Sequence, residues 1–185
     1  MGAYEELRNN IKSGDIIAFK VSKYAPFFAH ILKAVLKQDI YHIGIAVWLL
    51  SEDGHRRLFI VEASKGNRIV TPLSKYKNEP LDVYPLPFDF SNISEALLDR
   101  VGSVHYAYLD LLSIYLKEKF NMNVHDFNGE VCSEMVLDML MRGGMQIDND
   151  LYSPFRVTQI LEDNGINKKY SYAGEHNESK RISHT

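Results

Sequence analysis

Two stretches in the first third of the chain restrict its fold more than anything else. Residues 41–50 (YHIGIAVWLL) and 56–63 (RRLFIVEA) are β-branched and aromatic, and the polar segment Ser51-Glu52-Asp53-Gly54 lies between them. Runs of this kind around a short turn predict an antiparallel hairpin, and a hairpin needs further strands or helices over its apolar face. Asp15 to Val21 (DIIAFKV) predicts another strand, and residues 68–71 and 81–86 two shorter ones, with Pro72 and Pro80 in the loop between them. Helical spacing is weak over 3–12 and clear over 25–38, where Phe28, Leu32, Val35 and Leu36 form a stripe expected to be buried.

The second half reads as helix. The spacing predicts helices over 92–101, 106–120 and 131–142, the last stopped by Gly143-Gly144. Ser153 and Pro154 are an N-cap and first-turn pair for a helix closing at Gly165, and 169–172 is a final strand. The expected class is α+β, a small antiparallel sheet or half-barrel packed against helices. At 185 residues, one domain over 1–172 and a flexible tail over 173–185 suit the chain.

Composition excludes several functions. A single cysteine rules out a disulfide framework and any CxxC zinc or redox site. A net charge of −3 and scattered lysines give no general attraction to nucleic acid. Asp148-Asn149-Asp150 starts like a calcium loop, but the glycine and terminal glutamate are missing, and His105 and His125 have no carboxylate at ligand spacing. No metal or cofactor is therefore expected. No window is apolar enough to span a membrane, and the start Met-Gly-Ala-Tyr-Glu-Glu is acidic where a signal peptide is basic. The expectation is a cytoplasmic protein.

Three residues stand out chemically. Side chains alternate along a strand, so His42, Gly44, Ala46 and Trp48 share one face, as do Leu58, Ile60 and Glu62 on the next strand. An odd hairpin loop centred on Glu52 puts His42 opposite Glu62; centred on Asp53, it puts Gly44 opposite Glu62 and His42 on the diagonal. A two-residue Asp53-Gly54 turn flips the parity and separates the pair. A carboxylate beside an imidazole fixes its tautomer and raises its basicity. Cys132 is expected in the first turn of its helix, where unpaired N–H groups favour a thiolate and can hold an oxyanion. A free cysteine is equally at home as core packing.

These residues carry a resemblance. Gly14-Asp15-Ile16-Ile17, Tyr41-His42-Ile43-Gly44-Ile45, Val61-Glu62-Ala63 and Cys132-Ser133-Glu134-Met135-Val136 occur in this order. The set resembles the NlpC-type papain-like cysteine peptidases, in their circularly permuted, YiiX-like branch, where the histidine strand precedes the cysteine helix. The likeness covers roughly residues 13 to 160. It implies Cys132 as nucleophile, His42 as general base and Glu62 as the orienting third residue. Relatives carry a Gly-x-x-Tyr-Asp segment before the cysteine helix; here the stretch from Gly102 through Tyr106 and Tyr108 to Asp110 is only loosely alike. Tyr41, Ser133, Tyr106 and Tyr108 are the candidate substrate contacts. The implied activity is hydrolysis or acyl transfer on an amide or ester, with a peptide, cell-wall peptide or acyl lipid as substrate; for a cytoplasmic protein, a cell-wall substrate would require lysis or delivery by a phage or secretion system. The apolar helix 25–38 is then either a lid or acyl-binding wall, or an ordinary core-facing helix. The alternative function is a non-catalytic peptide- or lipid-binding module using the same cleft.

Overall fold

The central hairpin forms as the sequence predicts, and the rest of the sheet grows from it. The computed structural model describes residues 2–50, 53–64, 67–99, 101–102, 131–148 and 152–175. In chain order these give α1 (Ala3–Asn10), β1 (Ile16–Lys20), α2 (Phe27–Leu36), β2 (Ile40–Leu50), β3 (Arg56–Ser64) and β4 (Asn67–Pro72). After β4 come a 3-10 turn (Leu73–Tyr76), β5 (Leu81–Tyr84), α3 (Ser94–Asp99), α4 (Cys132–Arg142), α5 (Pro154–Asp163) and β6 (Tyr170–Tyr172). Among the described residues the strands make one six-stranded sheet of order β4-β3-β2-β1-β5-β6, antiparallel at every pairing. The class is α+β. The helix expected over 106–120 lies outside the described residues.

Strand alternation divides the core into two layers. Ile16, Ala18, Ile43, Ile45, Val47, Val61 and Ala63 face α3, α4 and α5, meeting Leu97, Met135, Val136, Met139, Val157 and Leu161. Ile17, Phe19, Ala46, Leu58, Ile60, Leu81 and Val83 face the other way, onto Tyr4 and Leu7 of α1, Leu73, and Ala25 and Ala29 at α2. Because β1 is covered on both faces, it reads as an unbroken apolar run, Ile16-Ile17-Ala18-Phe19.

Several boundaries differ from the sequence reading, each for a local reason. β5 stops at Tyr84 because Pro85 and Pro87 follow and donate no ladder hydrogen bond. The helix expected over 92–101 becomes a 3-10 turn (Phe90–Asn92) followed by the short α3. Its Ala96 and Leu97 carbonyls accept hydrogen bonds from the fully buried guanidinium of Arg68, at 3.1 and 3.3 Å. Ser153 does cap α5, its hydroxyl accepting from the Arg156 N–H at 3.2 Å.

Residues 173–175, expected in the tail, are held: the Glu175 N–H donates to the Lys77 carbonyl at 3.1 Å. Residues 176–185 lie outside the described set. On α2, Val35 was expected in the buried stripe but is exposed. Among the described side chains of α2 the buried one is Ala29, from which Val35 stands about 120° round the helix.

Candidate active site

The site lies where β2 begins and β3 ends. The β2–β3 ladder runs from Ile45↔Val61 to Leu50↔Arg56, a register centred on Asp53, and stops short of His42 and Glu62. This is the second of the two odd-loop registers, with His42 diagonal to Glu62 on one sheet face. Gly44 occupies the position between them. A Cβ there would stand 2.7 Å from the Val61 carbonyl oxygen and 2.7 Å from Ile60 Cδ1. Glycine is thus required by the close approach of β3, and the empty side-chain position lets the Glu62 carboxylate reach sideways to His42.

A bulge lies beside the imidazole and re-aims its neighbour Tyr41. On β1, Phe19 pairs with His42 and Lys20 with Ile40, so Tyr41 is the extra residue. Ile40 packs into the helix-covered layer, whereas Tyr41 packs into the opposite one, on the side where His42 meets Phe19. Bulges re-aim side chains in this way. The Tyr41 and His42 rings lie side by side, 6.3 Å apart, and His42 stacks on the buried Phe19 ring at 5.5 Å.

His42 Nε2 and Glu62 Oε2 are 2.5 Å apart. Glu62 is buried at 1% exposure, yet its carboxylate is satisfied. The Tyr76 hydroxyl donates to its second oxygen, Oε1, at 2.7 Å, and the Thr71 hydroxyl donates to the same carboxylate. Burial pushes the Glu62 carboxyl up. The hydrogen bond and charge of His42, with the Thr71 and Tyr76 hydroxyls, outweigh burial and hold it below the ordinary carboxylate range. Burial and the Glu62 charge push Tyr76 well above the ordinary tyrosine range, so it stays a neutral donor. Phe19 completes the wall, its ring 4.6 Å from that of Tyr76.

Cys132 comes from the other layer, as the first residue of α4. Val131 is the extended N-cap residue, and its N–H donates to the Glu134 carboxylate at 2.9 Å. The thiol is buried at 1% exposure and in hydrogen-bond contact with His42. With Nε2 held by Glu62, Nδ1 is the ring nitrogen left for sulfur. Burial by itself would push His42 down. The charge and hydrogen bond of Cys132, then those of Glu62, overcome it and push the imidazole up to about 10.

The structure therefore brings together Cys132, His42 and Glu62, which the sequence singled out. Tyr41 adjoins them but is mostly buried; burial, then the charges of Glu79, Glu62 and Cys132, push its hydroxyl above the ordinary tyrosine range. Ser133 is fully buried, and its Oγ has no hydrogen-bond partner among the described residues. Tyr106 and Tyr108 lie outside the described residues. Asp15 serves the turn before β1, its carboxylate accepting the Lys12 N–H at 2.8 Å. Among the described residues, no group of three or more His, Cys, Asp or Glu side chains could hold a metal ion.

Sequence reasoning missed Phe19, Thr71 and Tyr76. Thr71 had a faint signal: Ile69 is opposite Glu62, so two residues on the alternation returns to the same face. That signal needs the β3–β4 register. Tyr76 had none, since it arrives from a 3-10 turn rather than from a periodic element.

Comparison with known proteins finds no family model that matches the chain and no curated protein that matches it.

Proposed function

We propose that the chain is a cysteine hydrolase or acyltransferase acting on an amide or ester, with a permuted papain-like arrangement of the NlpC type. The observation that carries this reading is the set Cys132–His42–Glu62, in which His42 makes hydrogen bonds to Glu62, through Nε2, and to Cys132. Core packing alone gives no reason to bury a carboxylate with three donors beside an imidazole and the sole cysteine.

The residues divide the work as follows. The Cys132 sulfur attacks the carbonyl carbon, and the carbonyl electron pair moves onto oxygen. The Cys132 backbone N–H, in the first turn of α4 and without an intrahelical acceptor, donates to that oxyanion. His42, already protonated, gives its proton to the departing amine or alcohol, leaving a thioester on Cys132. The neutral ring then takes a proton from water, or from an acceptor alcohol or amine. The new nucleophile displaces the thiolate, and the ring is again cationic. Glu62 stabilises that cation and holds the ring in plane; Tyr76 and Thr71 hold Glu62.

The burial of the thiol favours a second reading, a binding module that keeps the arrangement without turnover. The two separate on incubation with peptidoglycan fragments and with acyl lipids, read by mass spectrometry. Products that form with wild type and not with Cys132→Ala are expected. Absence of any Cys132-dependent product from both classes returns the chain to the binding module.

A further inference from the structure

We propose that the cleft between the end of α1 and the turn end of the β2–β3 hairpin binds a small organic phosphate, its phosphate group held by Arg8, Lys12 and Arg56 around Trp48. The cleft has a volume of about 600 Å³ and is lined by Asn9, Ile11, Lys12, Ser13, Trp48 and Arg56. Trp48 is fixed in place. Its indole N–H donates to the Ile11 carbonyl at 2.9 Å, and its backbone N–H donates to the Ser13 hydroxyl at 2.9 Å. Two arginines use the same ring: the guanidinium carbons of Arg8 and Arg56 stand 5.1 and 5.5 Å from its centroid. The Arg8 guanidinium also donates to the Arg56 carbonyl at 3.3 Å. These contacts hold the planar guanidinium groups in position before any ligand arrives, which lowers the ordering cost of binding.

Among the described residues, none of these three cations forms an ion pair. Asp53 pairs with Arg57 at 2.8 Å, and the Glu5 carboxylate accepts the Gly2 N–H at 3.4 Å. Glu6 is two positions before Arg8, a spacing that does not face it on a helix. Asp15 feels the Lys12 charge, but it is buried and accepts the backbone N–H groups of Lys12 and Leu86. Like charges gathered at one ring repel, and an anion beside them relieves that cost. A phosphate monoester brings a charge of about −1.5 to −2 and three acceptor oxygens, a closer match to three cations than the single charge of a carboxylate. Small-molecule sites span about 300–1,000 Å³, so the phosphate fills only part of this cleft and the rest of the ligand lies along Ile11 and Trp48. The cleft is separate from the candidate active site. Trp48 is six residues after His42 on β2, and Arg56 six before Glu62 on β3, which is about 20 Å of strand.

Trp48 is the sole tryptophan, so its emission reports this cleft alone. The test is titration of the full chain with inorganic phosphate, glucose 6-phosphate and glucose, read by tryptophan fluorescence and by calorimetry. Saturable binding of inorganic phosphate is expected, with glucose 6-phosphate bound at least as tightly, glucose not bound, and both affinities weakened by salt. In calorimetry, Arg8→Gln/Arg56→Gln should lose about tenfold or more in affinity for glucose 6-phosphate. Lys12→Gln, at an exposed position, should lose about threefold or more and supplies the test if circular dichroism shows the double variant unfolded. Cys132→Ala should bind as wild type does, which separates this inference from the catalytic one. No saturable binding of glucose 6-phosphate by either readout overturns the proposal. So does glucose bound as tightly as its phosphate, or an affinity unchanged in either folded variant.

Discussion

The charge state of His42 is the most exacting consequence of the site, and Cys132→Ala is the perturbation that isolates it. An imidazole ordinarily titrates at 6.5, and here it is held at about 10. That difference corresponds to about 5 kcal/mol of preference for the charged ring. Burial works against it, so the favourable contributions together exceed this figure, and the leading ones come from Cys132. Cys132→Ala deletes them at small steric cost and leaves burial opposed only by Glu62. The ring should then titrate far lower, toward about 6.5. The assay is proton and nitrogen NMR of the imidazole from about pH 5 to about pH 10, on wild type, Cys132→Ala and Glu62→Gln. Stability must follow the same sign. A raised histidine stabilises the fold fully below its unfolded value near 6.5, and that contribution is lost as pH rises through about 10. Urea unfolding of wild type should therefore weaken over that interval, and the Cys132→Ala profile should be flatter. A wild-type ring that titrates near 6.5, or one that Cys132→Ala leaves unmoved, refutes the raised imidazole and the part Cys132 plays in it.

Three further outcomes are expected. Gly44→Ala forces a methyl group against the Val61 carbonyl and should cost about 1–3 kcal/mol in urea unfolding; a neutral effect would show that β3 is free to move away. Tyr76→Phe removes one of the donors to buried Glu62 and should cost about 1–3 kcal/mol while raising the carboxyl's titration in carbon NMR; an unmoved Glu62 would remove Tyr76 from the site. His42→Ala should slow labelling of Cys132 by a thiol-reactive acyl probe about a hundredfold or more at neutral pH, with circular dichroism unchanged; equal labelling of both proteins contradicts the activated thiolate.

Much of this was legible before any coordinates. Strand periodicity in 41–50 and 56–63 gave the hairpin, and strict alternation put His42 and Glu62 on one face in either odd-loop register. A single cysteine ahead of a well-spaced helical run, stopped by Gly143-Gly144, marked the start of α4. The Ser153-Pro154 cap was readable because capping chemistry is local. The least legible part of the first half was the orientation of α2. Its apolar spacing predicts a buried stripe that includes Val35, yet among its described side chains Ala29 is buried and Val35 exposed, because spacing fixes which residues share a face and not how far the covered face extends.

Sequence alone determined the strands, the helix starts and the three chemical groups, since these rest on period, capping and residue type within a few positions of one another. Tertiary structure decided what sequence separation conceals. The register centred on Asp53 set Gly44 opposite Glu62, the bulge at Tyr41 turned that ring to the side of His42, and α4 brought Cys132 across from the other layer. It also supplied Thr71 and Tyr76 to a carboxylate that would otherwise be buried without enough donors. A reactive imidazole needs its partners within hydrogen-bond reach, and only the packed sheet fixes distances of that size between residues 42, 62 and 132.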